Sequence, residues 1–178
     1  IMPPASYPKS PHGAFFRQFP YAATYATRGC PFPCTFCAAS KVSGKTVRHR
    51  SVENITEEIK FLNKTYGVKE IHFEDDNFSA KRKLLVEFCE TLLKEDLGIT
   101  WCFPNGLRLE ILDINELRLM RRAGCYAVNV GVESGSDRVL KRMRKGITTE
   151  KMRESIAKVK SAGIDIGGFF IIGFPGET

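Results

Sequence analysis

Cys30-Pro31-Phe32-Pro33-Cys34-Thr35-Phe36-Cys37 gathers three cysteines into eight residues, spaced by three residues and then by two. Structural zinc sites are usually closed by four ligands, often as paired CxxC knuckles, and ferredoxin runs supply four thiolates per cubane cluster. Here the local set stops at three. Three thiolates on a [4Fe–4S] cube leave one iron without a protein ligand, and an open metal position is where chemistry takes place. Pro31 and Pro33 bias the backbone away from helix and towards turn or extended shapes, which suits a loop that curls around a cluster. A structural zinc or a ferredoxin-like electron carrier is the plainer reading of the same residues.

Outward from this loop, β-prone and helix-prone segments alternate. Tyr21–Thr27 is a short β-prone stretch that leads into the cysteines. Ser51–Tyr66 carries Ile55, Ile59 and Leu62 on one helical face, with Ser51 as N-cap and Gly67 as terminator. Strands are expected at Lys69–Glu74, Ile99–Phe103, Tyr126–Val132 and Ile164–Ile172, with helices between them at Lys81–Glu95, Asn115–Ala123 and Lys151–Ala162. A helix–Ala–Gly–strand arrangement occurs twice, at Ala123-Gly124 and Ala162-Gly163, and such recurring βα units predict a parallel sheet. No GxGxxG follows the first strand, which speaks against a dinucleotide-binding open sheet. The polar and Gly-rich segments all sit at the carboxyl ends of strands, where (β/α) barrels build their sites. The expected fold is therefore α/β, a partial (β/α) TIM-like barrel of about five units over residues 21–178. Residues 1–20, rich in Pro, Ser and Gly, read as a linker from an upstream domain.

The length is that of one domain, and an apolar fraction of 43% with 13 Phe is enough to bury a core. No apolar run approaches the ~20 residues of a membrane span. Cys89, Cys102 and Cys125 stand alone in apolar surroundings and read as buried thiols rather than disulfides. The net charge is +7, with basic residues concentrated in Lys41–Arg50, Arg118–Arg122 and Arg138–Lys145. A nucleic-acid partner is compatible with that balance. Solvated helix faces explain the last two clusters equally well, and no RNA-binding module is visible. The chain starts without an initiator methionine and stops at Gly176-Glu177-Thr178, so one domain of a longer protein, cut at its C-terminal side, is expected.

CxxxCxΦC, with Phe36 just before the third cysteine, resembles the signature of the radical S-adenosylmethionine (SAM) superfamily, whose core is a six-unit partial barrel. The resemblance runs from about Tyr21 to Thr178. It implies that Cys30, Cys34 and Cys37 bind a [4Fe–4S] cluster and that SAM chelates the open iron. Reductive cleavage of SAM to a 5′-deoxyadenosyl radical would follow, and Phe36 would approach the adenine. Where the family carries a GGE motif for the methionine amino group, this chain has Glu74-Asp75-Asp76-Asn77-Phe78. That DDxF-type variant resembles the subgroup with a cobalamin-binding domain ahead of the barrel, and it makes Asp75 and Asp76 the candidates for the amino group. A solvated acidic turn capping the next helix is the alternative.

The same resemblance implies that Arg108 binds the SAM carboxylate, as a guanidinium does bidentately, against the alternative of a surface arginine. Gly131-Val132-Glu133-Ser134-Gly135-Ser136 is similar to the family's ribose motif and points to Glu133, although Ser136 or Asp137 would also suit an N-cap. Gly168–Thr178 resembles the GxIxGxPGET element and makes Ile172 an adenine contact. The implied cofactors are the [4Fe–4S] cluster, SAM and, through an upstream domain, cobalamin. The implied partners are a small-molecule substrate and a low-potential electron donor, flavodoxin or ferredoxin, in the reducing cytoplasm. The implied activity is that of a radical SAM enzyme of methyltransferase or oxidoreductase type, performing cobalamin-dependent methyl transfer or a related C–H functionalisation. A tRNA-modifying methylthiotransferase and a non-enzymatic iron–sulfur or zinc module stay open beside it. His49 and Arg50 take no role beyond solvated or substrate-adjacent, and His12 and His72 offer no ligand pattern.

Overall fold

The computed structural model describes residues 3–6 and 16–177. Its strands are β1 (Tyr21–Thr24), β2 (Thr27–Arg28), β3 (Arg48–His49), β4 (Glu70–Phe73), β5 (Thr100–Phe103), β6 (Cys125–Glu133) and β7 (Asp165–Phe170). Its helices are α1 (Ala39–Val42), α2 (Val52–Tyr66), α3 (Arg82–Glu95), α4 (Ile114–Arg122), α5 (Asp137–Arg142) and α6 (Thr149–Ser161). The main sheet has the order β1-β4-β5-β6-β7 with every neighbouring pair parallel, as the repeated βα units predict. β2 and β3 form a separate antiparallel pair beside the cysteine loop. The sequence reading did not foresee this pair or the short α5.

A strand covered on both faces must be apolar or satisfied at every position, and β4 shows both solutions. Its Phe73 sits in an aromatic core with Phe78, Phe88, Trp101 and Phe103, at ring separations of 5.3–5.8 Å. The Trp101 indole donates to the Ala123 carbonyl at 2.8 Å. On its other face Glu70 is fully buried. Glu70 Oε1 accepts from Tyr126 Oη at 2.6 Å and lies 2.7 Å from His72 Nε2. Oε2 accepts from the backbone amides of Arg17 and Gln18 at 2.9 and 2.5 Å. Residues 16–18, at the end of the stretch read as a linker, are thus tied to the sheet, and Phe16 packs edge-on to Tyr21. His12 lies outside the described residues. His72, Glu70 and Cys102 bring one ligand atom each to within 4.8 Å of one another. The donors already on Glu70 make this a satisfied polar network.

Burial alone would raise the Glu70 pKa, but the four donors outweigh it and hold the carboxyl below its usual range. A depressed carboxylate adds stability that is complete above its unfolded pKa of about 4.3 and is lost as pH falls through the folded value. Glu70→Gln is therefore expected to cost about 2 kcal/mol at neutral pH and to flatten the acid limb of the stability curve, read by urea titration from neutral to acid pH.

Helix ends are legible where a side chain closes them. Ser51 Oγ accepts from the Asn54 amide at 3.2 Å, and Gly67 ends α2 in the left-handed region. Thr148 caps α6 two residues earlier than the apolar spacing suggests. Asp113 and Glu116 form a reciprocal capping box on α4. Cys89, Cys102 and Cys125 are free and buried, and burial pushes the first two thiols up to about 12. Among the described residues no helix is long and apolar enough to cross a membrane. At one sheet edge β7 leaves Phe169 and Phe170 exposed.

Candidate functional site

The cysteine loop is held by its backbone. Gly29 adopts φ +102° and lies so close to the Thr46 carbonyl that any Cβ would collide with it. The Cys30 amide donates to Gly44 O at 3.0 Å, that of Thr35 to Met143 O at 2.9 Å, and that of Cys37 to Cys34 O at 3.3 Å. Cys30, Cys34 and Cys37 are all free and all line one cavity at the carboxyl end of the sheet. Burial raises the Cys30 and Cys34 thiols, and the neighbouring sulfurs raise them further. Lys145 and Arg108 pull Cys34 the other way. A positively charged group that lowers a thiol pKa favours the thiolate, which is the form that ligates metal.

The acidic run divides its work. Asp75 is 1% exposed and accepts from the Ala26 amide at 3.1 Å, from Thr27 Oγ1 at 2.5 Å and from the Thr27 amide. Both of its oxygens are occupied in fastening the chain between β1 and β2, and it does not line the cavity. Asp76 does line the cavity, and its Oδ2 accepts from the Gly29 amide at 2.9 Å. Beside it Asn77 is buried. Its Oδ1 accepts from Ser79 Oγ at 2.7 Å, while its Nδ2 has no hydrogen-bond partner. A buried amide without a partner, on a residue that lines the cavity, leaves a donor for a ligand acceptor.

Glu133 sits where β6 and β7 shift register, at φ +62°, a conformation that L side chains rarely adopt. Such bulges re-aim side chains and cluster at functional sites. Glu133 Oε1 pairs with Lys145 Nζ at 2.7 Å, both groups being nearly buried. The pair fits because residue 131 is glycine: a Cβ there would run into both charged atoms. Lys145 Nζ also lies 5.6 Å from the Phe36 ring centroid. Arg108 is buried rather than superficial, with its guanidinium 4.1 Å over the Phe32 ring and Nη1 donating to Lys145 O at 2.6 Å. Its Nε lies 2.5 Å from Glu110 Oε1, but off the line that a hydrogen bond needs.

Ile172, the sequence candidate for an adenine contact, is 94% exposed and does not line the cavity. Its neighbour Ile171, alternating to the other side of the chain, packs with Phe36 and Phe174 on Val139, Leu140 and Met143. Ser136 occupies the N-cap position of α5 without a side-chain bond, and Asp137 Oδ1 accepts from the Thr149 amide at 2.7 Å. Arg50 is not simply solvated: it pairs with Glu58 at 2.5 Å and donates to Tyr25 O at 3.0 Å. Lys145 and Asn77 are the site residues that sequence reasoning missed. Lys145 was hidden in a basic run that reads as a helix face, and Asn77 stood unremarked beside two carboxylates.

Comparison with known proteins bears on the same residues. The sequence profile of the radical SAM superfamily matches residues 24–178. An uncharacterized methyltransferase of Pyrococcus horikoshii is 37% identical over 89% of this chain and 34% of its own length. The cytidylyl-2-hydroxyethylphosphonate methyltransferase of Streptomyces wedmorensis is 36% identical over 85% of this chain and 28% of its own. Among solved structures, the cobalamin-dependent S-adenosylmethionine radical enzyme OxsB, with aqua-cobalamin and S-adenosylmethionine bound, superposes with a TM-score of 0.75 at 25% identity. That match covers 84% of this chain and 23% of OxsB. The chain thus spans about a third or less of the length of these relatives.

Proposed function

This chain belongs to the radical SAM superfamily, and from that premise we propose that it is the core of an enzyme that cleaves SAM reductively, in the service of cobalamin-dependent methyl transfer or a related C–H functionalisation. The observation that carries this reading is the convergence of Cys30, Cys34 and Cys37 on one cavity with Asp76, Asn77 and the Glu133–Lys145 pair. The residues present fit the groups required. Three free thiols supply a cubane with one vacant iron, and the unpartnered Asn77 amide awaits an acceptor. When bound, the cluster supplies the single electron that splits the SAM sulfonium and yields a carbon radical.

The remaining work falls to side chains of this chain. Asp76 would accept the amino group of SAM, and Arg108 would take its carboxylate. Glu133 would accept the ribose hydroxyls, with the 2.7 Å pair to Lys145 Nζ keeping it aimed. Phe36, backed by Ile171, would hold the adenine. A small-molecule substrate would enter the same cavity, whose wall at Phe169 is partly uncovered. The cobalamin assignment draws its support from the methyltransferase names of the relatives and from the cobalamin bound in OxsB, and it places that cofactor on a further domain.

Anaerobic reconstitution tests the reading. The expected protein carries iron and acid-labile sulfide in equal amounts and, with dithionite, forms 5′-deoxyadenosine from SAM. Glu133→Gln should weaken SAM binding about tenfold, or about 1.4 kcal/mol, in equilibrium dialysis. Zinc without sulfide would overturn the enzyme reading. A complete protein that retains no corrinoid absorbance after desalting would remove cobalamin from it.

A further inference from the structure

Seven of the 27 basic residues and none of the 20 acidic ones lie before Glu53. The other 20 cations and 20 carboxylates cancel, so the whole net charge of +7 belongs to the first 52 residues. Arg50 pairs with Glu58, Arg17 lies 5.3 Å over the Tyr126 ring, and Arg28 lies 5.0 Å over the Tyr25 ring. Lys9 lies outside the described residues. Arg28, Lys41, Lys45 and Arg48 are all exposed, with Arg48 Nη2 donating to the Ser43 carbonyl at 3.0 Å. Among the described residues none of them is in an ion pair with a carboxylate.

The same short elements that hold the cysteine loop carry these four charges. Arg28 and Arg48 stand directly opposite each other across β2 and β3. Like charges in that relation are unfavourable unless an anionic partner offsets them. Lys41 is on α1, which begins two residues after Cys37. Gly44, next to Lys45, accepts the Cys30 amide. The groove lined by Arg28, Arg48 and Tyr25 shares no residue with the cavity that the three cysteines line. A substrate must place its reacting atom inside the cavity, so charges that recruit a substrate belong on the cavity rim. Charges on the outer side of the cluster loop serve a partner that must come near the cluster without entering the cavity.

Resting on the reading above, in which one electron must arrive from outside, we infer that α1 and the β2–β3 pair form the docking face for a small one-electron carrier protein with an acidic surface around its redox centre. The carrier is oxidised by one electron, the cluster on Cys30, Cys34 and Cys37 is reduced by one, and no bond is made or broken at the face. Complementary charge here raises the encounter rate and fixes orientation, and both effects fall with salt.

The test compares the full chain with two charge-reversed variants, Arg28→Glu/Arg48→Glu and Lys41→Glu/Lys45→Glu. The second pair alters exposed lysines of the cluster loop and keeps the test open if the first fails to fold. Binding of oxidised flavodoxin is measured by calorimetry at low and high salt. Cluster reduction by flavodoxin hydroquinone is followed by stopped flow, with dithionite as the small-molecule control. The expected result is at least about tenfold weaker flavodoxin binding in each variant, matched by slower reduction and unchanged dithionite-driven 5′-deoxyadenosine. Equal flavodoxin affinity in wild type and variants would overturn the inference. So would variants that lose affinity for tRNA while still binding flavodoxin, which would assign the face to nucleic acid. Failure of the cluster reading shows separately, as missing sulfide and missing dithionite-driven product in the wild type, and the binding measurement still decides the docking face.

Discussion

Replacing Cys34 with serine is expected to leave the reconstituted protein without a stable cubane and to reduce 5′-deoxyadenosine formation at least about a thousandfold, essentially to background. An alcohol is a poor substitute for a thiolate on iron, and with two anchors left the cluster has no fixed seat. The loop itself should survive. Its shape rests on the backbone bonds of Cys30 to Gly44, Thr35 to Met143 and Cys37 to Cys34, none of which uses the Cys34 sulfur. Thermal stability of the cluster-free chain should therefore change by less than about 1 kcal/mol, which separates a lost ligand from a lost fold. Cys102→Ser is the matched control. Cys102 is buried on the sheet with its thiol pushed up to about 12, and its replacement should leave iron, sulfide and product intact. Retention of cluster and activity in the Cys34→Ser protein would end the proposal.

The opposite pattern is expected of Asp75→Ala. Removing that carboxylate strands the Ala26 and Thr27 amides and the Thr27 hydroxyl in a buried position. Each orphaned group costs about 1–3 kcal/mol, so a loss of roughly 3–5 kcal/mol is expected. For a chain of this size that lowers Tm by roughly 6–20 °C. Asp76→Ala, one residue on, removes a single acceptor at the cavity wall. It should cost little stability and appear instead as weaker SAM binding. If Asp75→Ala were stable and SAM-deficient while Asp76→Ala were unstable, the two carboxylates would have to exchange roles.

Adjacent residues with opposite jobs show where sequence reading stops. Asp75 and Asp76 are the same residue type in the same motif, and only the path of the loop after β4 decides which one turns in beneath Thr27 and which one meets the cavity. Ile171 and Ile172 pose the same ambiguity: one packs with Phe36 and the other is exposed, which adjacency in the sequence does not reveal. The parallel sheet was legible because repeated apolar runs and the two Ala–Gly stops are local signals. That three free cysteines would share one cavity was legible because they lie within eight residues of one loop. Lys145 was not, because its place in the cavity comes from a tertiary meeting with Glu133 across a glycine gap, twelve residues away in the chain. Glu70 was hidden for a similar reason. A carboxylate inside a strand reads as a surface charge until Tyr126 and the Arg17–Gln18 backbone are brought onto it.

The only tryptophan of the chain is the fully buried Trp101, ringed by Phe73, Phe88 and Phe103. Excited at the red edge of its absorption, where the five tyrosines scarcely absorb, its fluorescence in the cluster-free protein is a single-site optical gauge of the aromatic core. A red shift of that one band will report when water first reaches the interior.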